Sequence, residues 1–364
     1  MRVLGLDVGG ANIKASDADG HTVAVPFAMW QRPEELPAAL HALFVDHFVA
    51  DQSLPDMVAL TMTAELADCF QSKSEGVEFV LRAVEQTFLN VPLRVWLTSG
   101  EFAELNDARD LPMLVAAANW HALATWVGRA VPDGPALLID MGSTTTDIIP
   151  LLDGKPVPLG LKDCDRLLSG ELVYTGAVRT PVCAIVDTVP LDGKSCPVAA
   201  EVFATIVDAY VVAGIVAEKP DDTNTADGRP LTRQCSLNRL AHMVCCDSTE
   251  LDEEDLKAIA QHIADVQCRQ LQAGVGRVLE RLAVIMEASE QRCLEIERPT
   301  VIISGGGAGI VERVLQHSDL FSFADQLILS DMFRQPVSES ACAFAVARLA
   351  HDRCRDDLLE LTTL

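Results

Sequence analysis

Val3-Leu4-Gly5-Leu6-Asp7-Val8-Gly9-Gly10-Ala11-Asn12-Ile13-Lys14 is an apolar strand that runs into an acid, a glycine pair and a second strand carrying a lysine. The glycine pair predicts a tight hairpin in which both residues are free to take positive φ. N–H groups at such a turn cradle an anion, and Lys14 adds a positive charge beside it. Asp7 repels a bare phosphate, so its place makes sense when it holds a hydrated Mg²⁺ that also touches the phosphate. Read alone, the stretch is equally an ordinary hairpin with a solvated acid.

The pattern returns further along the chain. Ala136-Leu137-Leu138-Ile139-Asp140-Met141-Gly142-Ser143-Thr144-Thr145-Thr146-Asp147-Ile148-Ile149 again runs an apolar strand into Asp-x-Gly and a second strand. Each copy leads to an Asp-Gly turn, Asp19-Gly20 in the first and Asp153-Gly154 in the second. The acids Asp7 and Asp140 stand 133 residues apart. An offset of that length is the signature of a duplicated supersecondary unit.

The intervening chain fits one such unit. Residues 21–28 predict a third strand, 33–50 a helix, 57–62 a buried strand, 75–89 an amphipathic helix and 93–97 a further strand. A strongly apolar helix is expected over 111–130, containing Asn119-Trp120-His121 as packing residues and a core histidine. After the turn cluster Pro132-Asp133-Gly134-Pro135 the second unit begins. It predicts a third strand at 155–159, a short helix at 169–174, an apolar helix at 201–216 and a loop at 219–231. A helix opens on Asp252-Glu253-Glu254-Asp255, acids suited to its N-terminus, and Gly274 and Gly276 are expected to break or kink it before a second helix through Met286. Strands follow at 299–304 and 326–329, and a final helix at 338–353 with Ser338 as cap. The expected division is therefore 1–131, 132–337 with inserted helices and loops, and a C-terminal helix over 338–364 packing back on the first unit.

Composition excludes several classes. The chain of 364 residues is 49% hydrophobic, which supplies a sizeable core and excludes general disorder. Its net charge of −25 argues against a nucleic-acid surface, which needs clustered Lys and Arg. No apolar run reaches the roughly 20 residues that span a bilayer. Asp7 falls where a signal peptide needs its apolar region, so a cytoplasmic protein without membrane attachment is expected. The 11 cysteines then read as reduced thiols. Cys183, Cys196, His242, Cys245, Cys246 and Asp247 lack the paired spacing of a structural zinc site.

Asp7-x-Gly9-Gly10-x-x-x-Lys14, Asp140-x-Gly142-Ser143-Thr144-Thr145 and Ser304-Gly305-Gly306-Gly307 resemble, in order, the phosphate 1, phosphate 2 and adenosine motifs of the actin, Hsp70 and sugar-kinase fold. The resemblance implies an α/β protein of two ribonuclease-H-like (actin-like ATPase) domains facing each other across a cleft. It implies phosphate contacts from Gly9, Gly10, Asn12, Lys14, Gly142, Ser143, Thr144, Thr145, Gly305, Gly306 and Gly307, with Mg²⁺ held through Asp7 and Asp140. The alternative for the glycine triplet is a plain strand-to-helix turn whose glycines allow close backbone approach.

Thr61-Met62-Thr63-Ala64-Glu65-Leu66-Ala67-Asp68-Cys69-Phe70 with Lys73, Ala118-Asn119-Trp120, and Ser169-Gly170-Glu171-Leu172-Val173-Tyr174-Thr175-Gly176 carry a narrower resemblance. They look like the hydantoinase-like proteins of tetrahydromethanopterin-linked one-carbon metabolism. That resemblance implies a transferase of methanofuran or methylofuran biosynthesis. Such an enzyme joins a phenolic tyramine or tyrosine derivative to an aminomethyl-furan methyl diphosphate and releases diphosphate. A phenol needs a nearby base, and Glu65, Asp68 and Lys73 are the candidates, with Lys14 on the diphosphate. Glu65 and Asp68 are equally explained as caps of a helix start. Arg179, Arg229 and Arg233 suit bidentate contact with a glutamate carboxylate on the substrate, or plain solvation. The competing expectation is an ATP-dependent small-molecule kinase or ATPase of the same fold.

Overall fold

The computed structural model describes residues 1–49, 54–288, 298–316, 323–333 and 335–362. Its first sheet is built from β1 (Val3–Val8), β2 (Asn12–Asp17), β3 (Thr22–Pro26), β4 (Met57–Met62), β5 (Leu93–Trp96) and β6 (Phe102–Glu104), in the order β3-β2-β1-β4-β5-β6. β1 to β3 form an antiparallel meander; β4 and β5 add in parallel on the far side of β1. The parallel additions are crossovers through α1 (Leu36–Phe48) and α2 (Lys73–Thr87), as parallel pairing requires.

The second sheet repeats this plan. β7 (Pro135–Met141) pairs antiparallel with β8 (Thr146–Leu152) on one side. On the other it pairs in parallel with β13 (Thr300–Ser304), which pairs with β14 (Gln326–Ile328). β9 (Lys155–Pro156) and β10 (Leu172–Val173) both pair with β8, and β11 (Thr188–Leu191) with β12 (Lys194–Pro197) makes a separate hairpin. The register carries the duplication to single residues. Asp7 faces Lys14 across the first hairpin and Asp140 faces Asp147 across the second; Asp7 neighbours Thr61, and Asp140 neighbours Ser304.

The remaining helices of the first unit are α3 (Leu105–Asp110), α4 (Pro112–Val115) and α5 (Asn119–Val127). Those of the second are α6 (Asp163–Ser169), α7 (Ile206–Val212), α8 (Arg233–His242), α9 (Glu253–Ala288), α10 (Ala308–Gln316), α11 (Leu329–Met332) and α12 (Gln335–Glu339), before the terminal α13 (Ala341–Thr362). α5 and α13 tie the sheets together. Trp120, Leu123 and Ala345 pack with Leu138 and Ile302 of the second sheet, while Ala118, Ala122 and Val346 pack with Ala59 and Trp96 of the first. Gly5 permits this contact: a Cβ there would stand 2.1 Å from the Ala343 carbonyl oxygen. Among the described residues no helix is long and apolar enough to cross a membrane.

Several elements differ from the sequence expectation. The helix expected over 111–130 is interrupted between α4 and α5, where Ala117 takes φ +49°. α9 runs unbroken through Gly274 and Gly276. Gly274 seats the helix on the second sheet, since a Cβ there would meet Val173 at 2.7 Å and Ile148 at 2.9 Å. Residues 169–174 hold the end of α6 and then β10 rather than a helix, and the strand expected at 155–159 shrinks to β9. The helix expected over 201–216 contracts to α7, which a Thr205–Asp208 capping box begins. α2 starts earlier than expected, because Ser72 accepts from the Glu75 N–H at 3.2 Å and Glu75 returns a bond to the Gln71 N–H at 2.8 Å. The last helix begins at Ala341 rather than Ser338, and the predicted Ala50 falls outside the described residues.

Candidate active site

Both hairpins turn in the same way. The Gly9 N–H donates to the Asn12 carbonyl at 3.0 Å, and the Gly142 N–H donates to the Thr145 carbonyl at 2.9 Å. Neither Gly9 nor Gly10 takes positive φ, contrary to expectation. The demand at Gly9 is room: a Cβ would stand 2.9 Å from the Asn12 oxygen, whereas Gly10 has nothing within 4 Å. The carbonyls of the turns are tied from behind. Phe27 and Met29 N–H groups bond Ala11 and Gly10; Ala177 bonds Gly142, and Val178 and Arg179 both bond Ser143. The N–H groups of Gly10, Ala11, Ser143 and Thr144 donate to no backbone carbonyl among the described residues. Donors left bare on a rigid turn are what an anion site needs.

A buried polar scaffold fixes the second hairpin. Thr146 Oγ1 donates to the Thr175 carbonyl at 2.8 Å, Thr175 and Thr180 hydroxyls meet at 2.9 Å, and Gln267 donates to Thr175 Oγ1 at 2.6 Å and to the Gly176 carbonyl at 2.9 Å. Tyr210 completes it through a bond to Gln267. Gly176 is needed here, because a Cβ would come within 2.6 Å of the Thr144 backbone.

The acids of the two hairpins converge near the start of α13. Burial pushes the Asp7 carboxyl up, opposed by Lys14. Burial, reinforced by Asp147, pushes Asp140 up to about 6, with Lys14 lowering it and Asp7 raising it further. Burial, with Asp7 and Asp140 adding to it, drives the Cys342 thiol well above its ordinary value. Asp7 is 5% exposed, and its Oδ1 has no partner among the described residues. Two carboxylates, one with a buried bare oxygen, fit a hydrated Mg²⁺, which takes one or two protein carboxylates and completes its shell with water and phosphate. Among the described residues no three His, Cys, Asp or Glu side chains come together as a metal cluster.

Sequence reasoning missed the partner of Asp147. Where the first hairpin places Lys14 opposite its acid, the second places Asp147, whose charge is met by buried Arg166 at 2.5 Å. Arg166 reaches in from α6 and lies 4.0 Å from the centre of the Trp120 ring. The register offset would have exposed the exchange of Lys for Asp; nothing local marks Arg166 as its counter-ion.

The segments after the two parallel strands are equivalent in topology and opposite in chemistry. β13 leads into Gly305-Gly306-Gly307 and α10; β4 leads into Thr63-Ala64-Glu65 and α2. Gly305 and Gly307 are required for close approach to Met141, with prospective Cβ contacts of 2.3 and 2.6 Å, while Gly306 stands in open space. Glu65 is 1% exposed, and its Oε2 has no partner among the described residues. Burial pushes its carboxyl up to about 7 against backbone N–H bonds, including that of Ala117, and against nearby Lys73; Asp163 pushes it further up. Gly76 lets α2 lie against this acid, since a Cβ there would stand 2.4 Å from the Glu65 carbonyl oxygen. Lys73 bonds Asp163 of the second unit at 2.7 Å. Asp68, unlike buried Glu65, is exposed and makes no ion pair among the described residues. His121 is buried, and burial lowers its pKa to about 4, so it is neutral. Arg233 is committed to the Val212 carbonyl and Glu253, and Arg229 lies 3.9 Å from Asp227. A cavity of about 200 Å³ lies at the other end of β1, lined by Met1, Asp17, Phe44 and His351.

Two units that each extend an antiparallel hairpin by parallel strands on its far side have the duplicated ribonuclease-H-like plan of the actin-like ATPase fold. The chain belongs to the hydantoinase/oxoprolinase family, whose model matches residues 56–353. It is 31% identical, over 96% of its length and 97% of the relative, to the Methanocaldococcus jannaschii protein named (4-{4-[2-(gamma-L-glutamylamino)ethyl]phenoxymethyl}furan-2-yl)methanamine synthase. A Methanococcus vannielii protein of the same name is 26% identical over 60% of this chain and 91% of its own. Nucleotide-free acetone carboxylase superposes with a TM-score of 0.48 at 13% identity, over 95% of this chain and 70% of that one.

Proposed function

We propose that this protein is a synthase of methanofuran-type cofactor biosynthesis, joining the phenol of a γ-glutamyl-tyramine-like substrate to an aminomethyl-furan methyl diphosphate. The observation that carries the reading is Glu65: a buried carboxyl with a free oxygen and a pKa near 7, three residues past the end of the strand that flanks the first hairpin. Such an acid is half ionised at neutral pH and matched to removing a proton in the transition state. The phenol gives its proton to Glu65, its oxygen forms the ether bond to the furan methylene carbon, and the carbon–oxygen bond to diphosphate breaks with the electron pair leaving on diphosphate. The ring oxygen supports positive charge on that carbon as the bond breaks.

Lys14 and the bare N–H groups of the two turns receive the departing diphosphate by preorganised electrostatics. Asp7 and Asp140 would hold Mg²⁺, which when bound supplies Lewis-acid stabilisation to the leaving group. Gly306, free of steric neighbours, lets the glycine turn approach the same phosphates.

Incubation with the two substrates, following the ether product by mass spectrometry and the released diphosphate, tests the reading. Product formed without ATP is expected. Tight Mg-ATP binding in calorimetry with no response to diphosphate or to the phenol would overturn it and make the protein a kinase or ATPase.

A further inference from the structure

The two segments that tie the hairpins from behind are counterparts. In the first unit Met29 bonds the Gly10 carbonyl and Trp30 follows; in the second Arg179 bonds the matching Ser143 carbonyl. Their side chains meet across the cleft, with the Arg179 guanidinium 5.3 Å from the centre of the Trp30 ring. Among the described residues no carboxylate lies within 4.0 Å of Arg179, unlike Arg166, Arg233, Arg239 and Arg281, which are all in ion pairs. A guanidinium stacked on an aromatic face keeps its N–H edge free for a bidentate oxyanion contact.

The charges around the hairpins call for such a group. Asp7, Asp140 and Asp147 face Lys14 and Arg166, and Arg166 is consumed by Asp147. Even with Mg²⁺ offsetting Asp7 and Asp140, a multiply charged diphosphate entering a chain of net charge −25 needs more cation than Lys14 supplies.

Resting on the synthase reading, we propose that Arg179 is a diphosphate-binding residue and that Trp30 is a positioning residue, holding the guanidinium between the two hairpins for the leaving group. Arg179 reaches the diphosphate from the second unit while Lys14 reaches it from the first. Trp30 lowers the ordering cost of that contact by orienting the cation before the ligand arrives.

Calorimetry with inorganic diphosphate and Mg²⁺ on the full chain tests this. Arg179→Ala is expected to weaken diphosphate binding at least tenfold, and Arg179→Lys to recover only part of it because the fork is lost. Trp30→Ala should weaken it severalfold, and Trp30→Phe should restore it. Both side chains are solvent-accessible, and unchanged circular dichroism confirms folding. If Arg179→Ala binds diphosphate as tightly as the wild type while Lys14→Ala does not, this inference fails and the synthase reading stands. If Arg179→Ala raises only the KM of the phenolic glutamyl substrate, Arg179 serves the carboxylate and the inference is overturned. A wild-type protein that binds no diphosphate overturns both.

Discussion

Glu65 has a folded-state cost tied to its proposed use. Its carboxyl keeps its proton to about pH 7 in the folded chain, against 4.5 for an unperturbed side chain. The folded state therefore binds more protons between those values, and native stability falls as pH rises through that window. The burden at pH 8 is up to roughly 3 kcal/mol. Glu65→Gln removes it, so the variant should melt above the wild type at pH 8, with the gap closing by pH 5 in calorimetric scans. The same substitution should lower turnover by about 10² to 10⁴-fold. In the wild type the rate should climb as pH rises through about 7, and the variant should lose that rise. Stability and activity moving in the same direction would remove Glu65 from the base role. Ala117 belongs to the same account: a non-glycine residue at φ +49° is strained by about 1 kcal/mol, and its N–H is one that holds the Glu65 carboxyl.

The hairpins give a contrast between two glycines. Gly10→Ala meets nothing within 4 Å and takes no positive φ, so stability should hold or rise by up to about 1 kcal/mol through the less flexible unfolded chain. Gly176→Ala drives a methyl into the Thr144 backbone and should destabilise by about 1–3 kcal/mol while loosening the second turn. Urea titrations of both variants check the pair, and equal effects would contradict the close packing behind the second hairpin. These local features also mark what could be read in the sequence. Both hairpins, the flanking strands and the duplication were legible because alternation, turn glycines and a constant offset are short-range signals. The interruption at Ala117 was not, since no glycine or proline announces it and the bond to Glu65 that accompanies it comes from 52 residues earlier in the chain. Gly274 misled for the opposite reason: it is a breaker by propensity, yet in α9 it is the notch that lets a long helix sit on β8 and β10. Asp68 stands nearer to Glu65 in sequence than Lys73 does, but the turn after Leu66 leaves it in solvent.

Across the whole molecule, the acid that would act as base lies in one unit and part of its electrostatic setting lies in the other. Lys73 lowers the Glu65 pKa and Asp163, bonded to Lys73 from α6, raises it. As a partly exposed ion pair the bridge adds no more than about 1 kcal/mol to stability, so its larger consequence is for titration. Lys73→Met leaves Glu65 facing Asp163 without the ammonium, which holds the proton on Glu65 to higher pH. The rise of rate with pH should then move upward, with turnover at pH 7 reduced severalfold and recovered by pH 9. Asp163→Asn does the reverse, moving the rise downward and leaving the rate at pH 7 equal or faster. Because Asp163 sits on the second unit and Glu65 on the first, the opposed shifts require the two units to be closed on each other during turnover. Profiles that stay in place for both variants would mean that Glu65 is not the titrating group, or that the Lys73–Asp163 bridge is open when the chemistry occurs. Diphosphate affinity, set at the hairpins, should stay level in both variants, which separates tuning of the base from loss of the cleft.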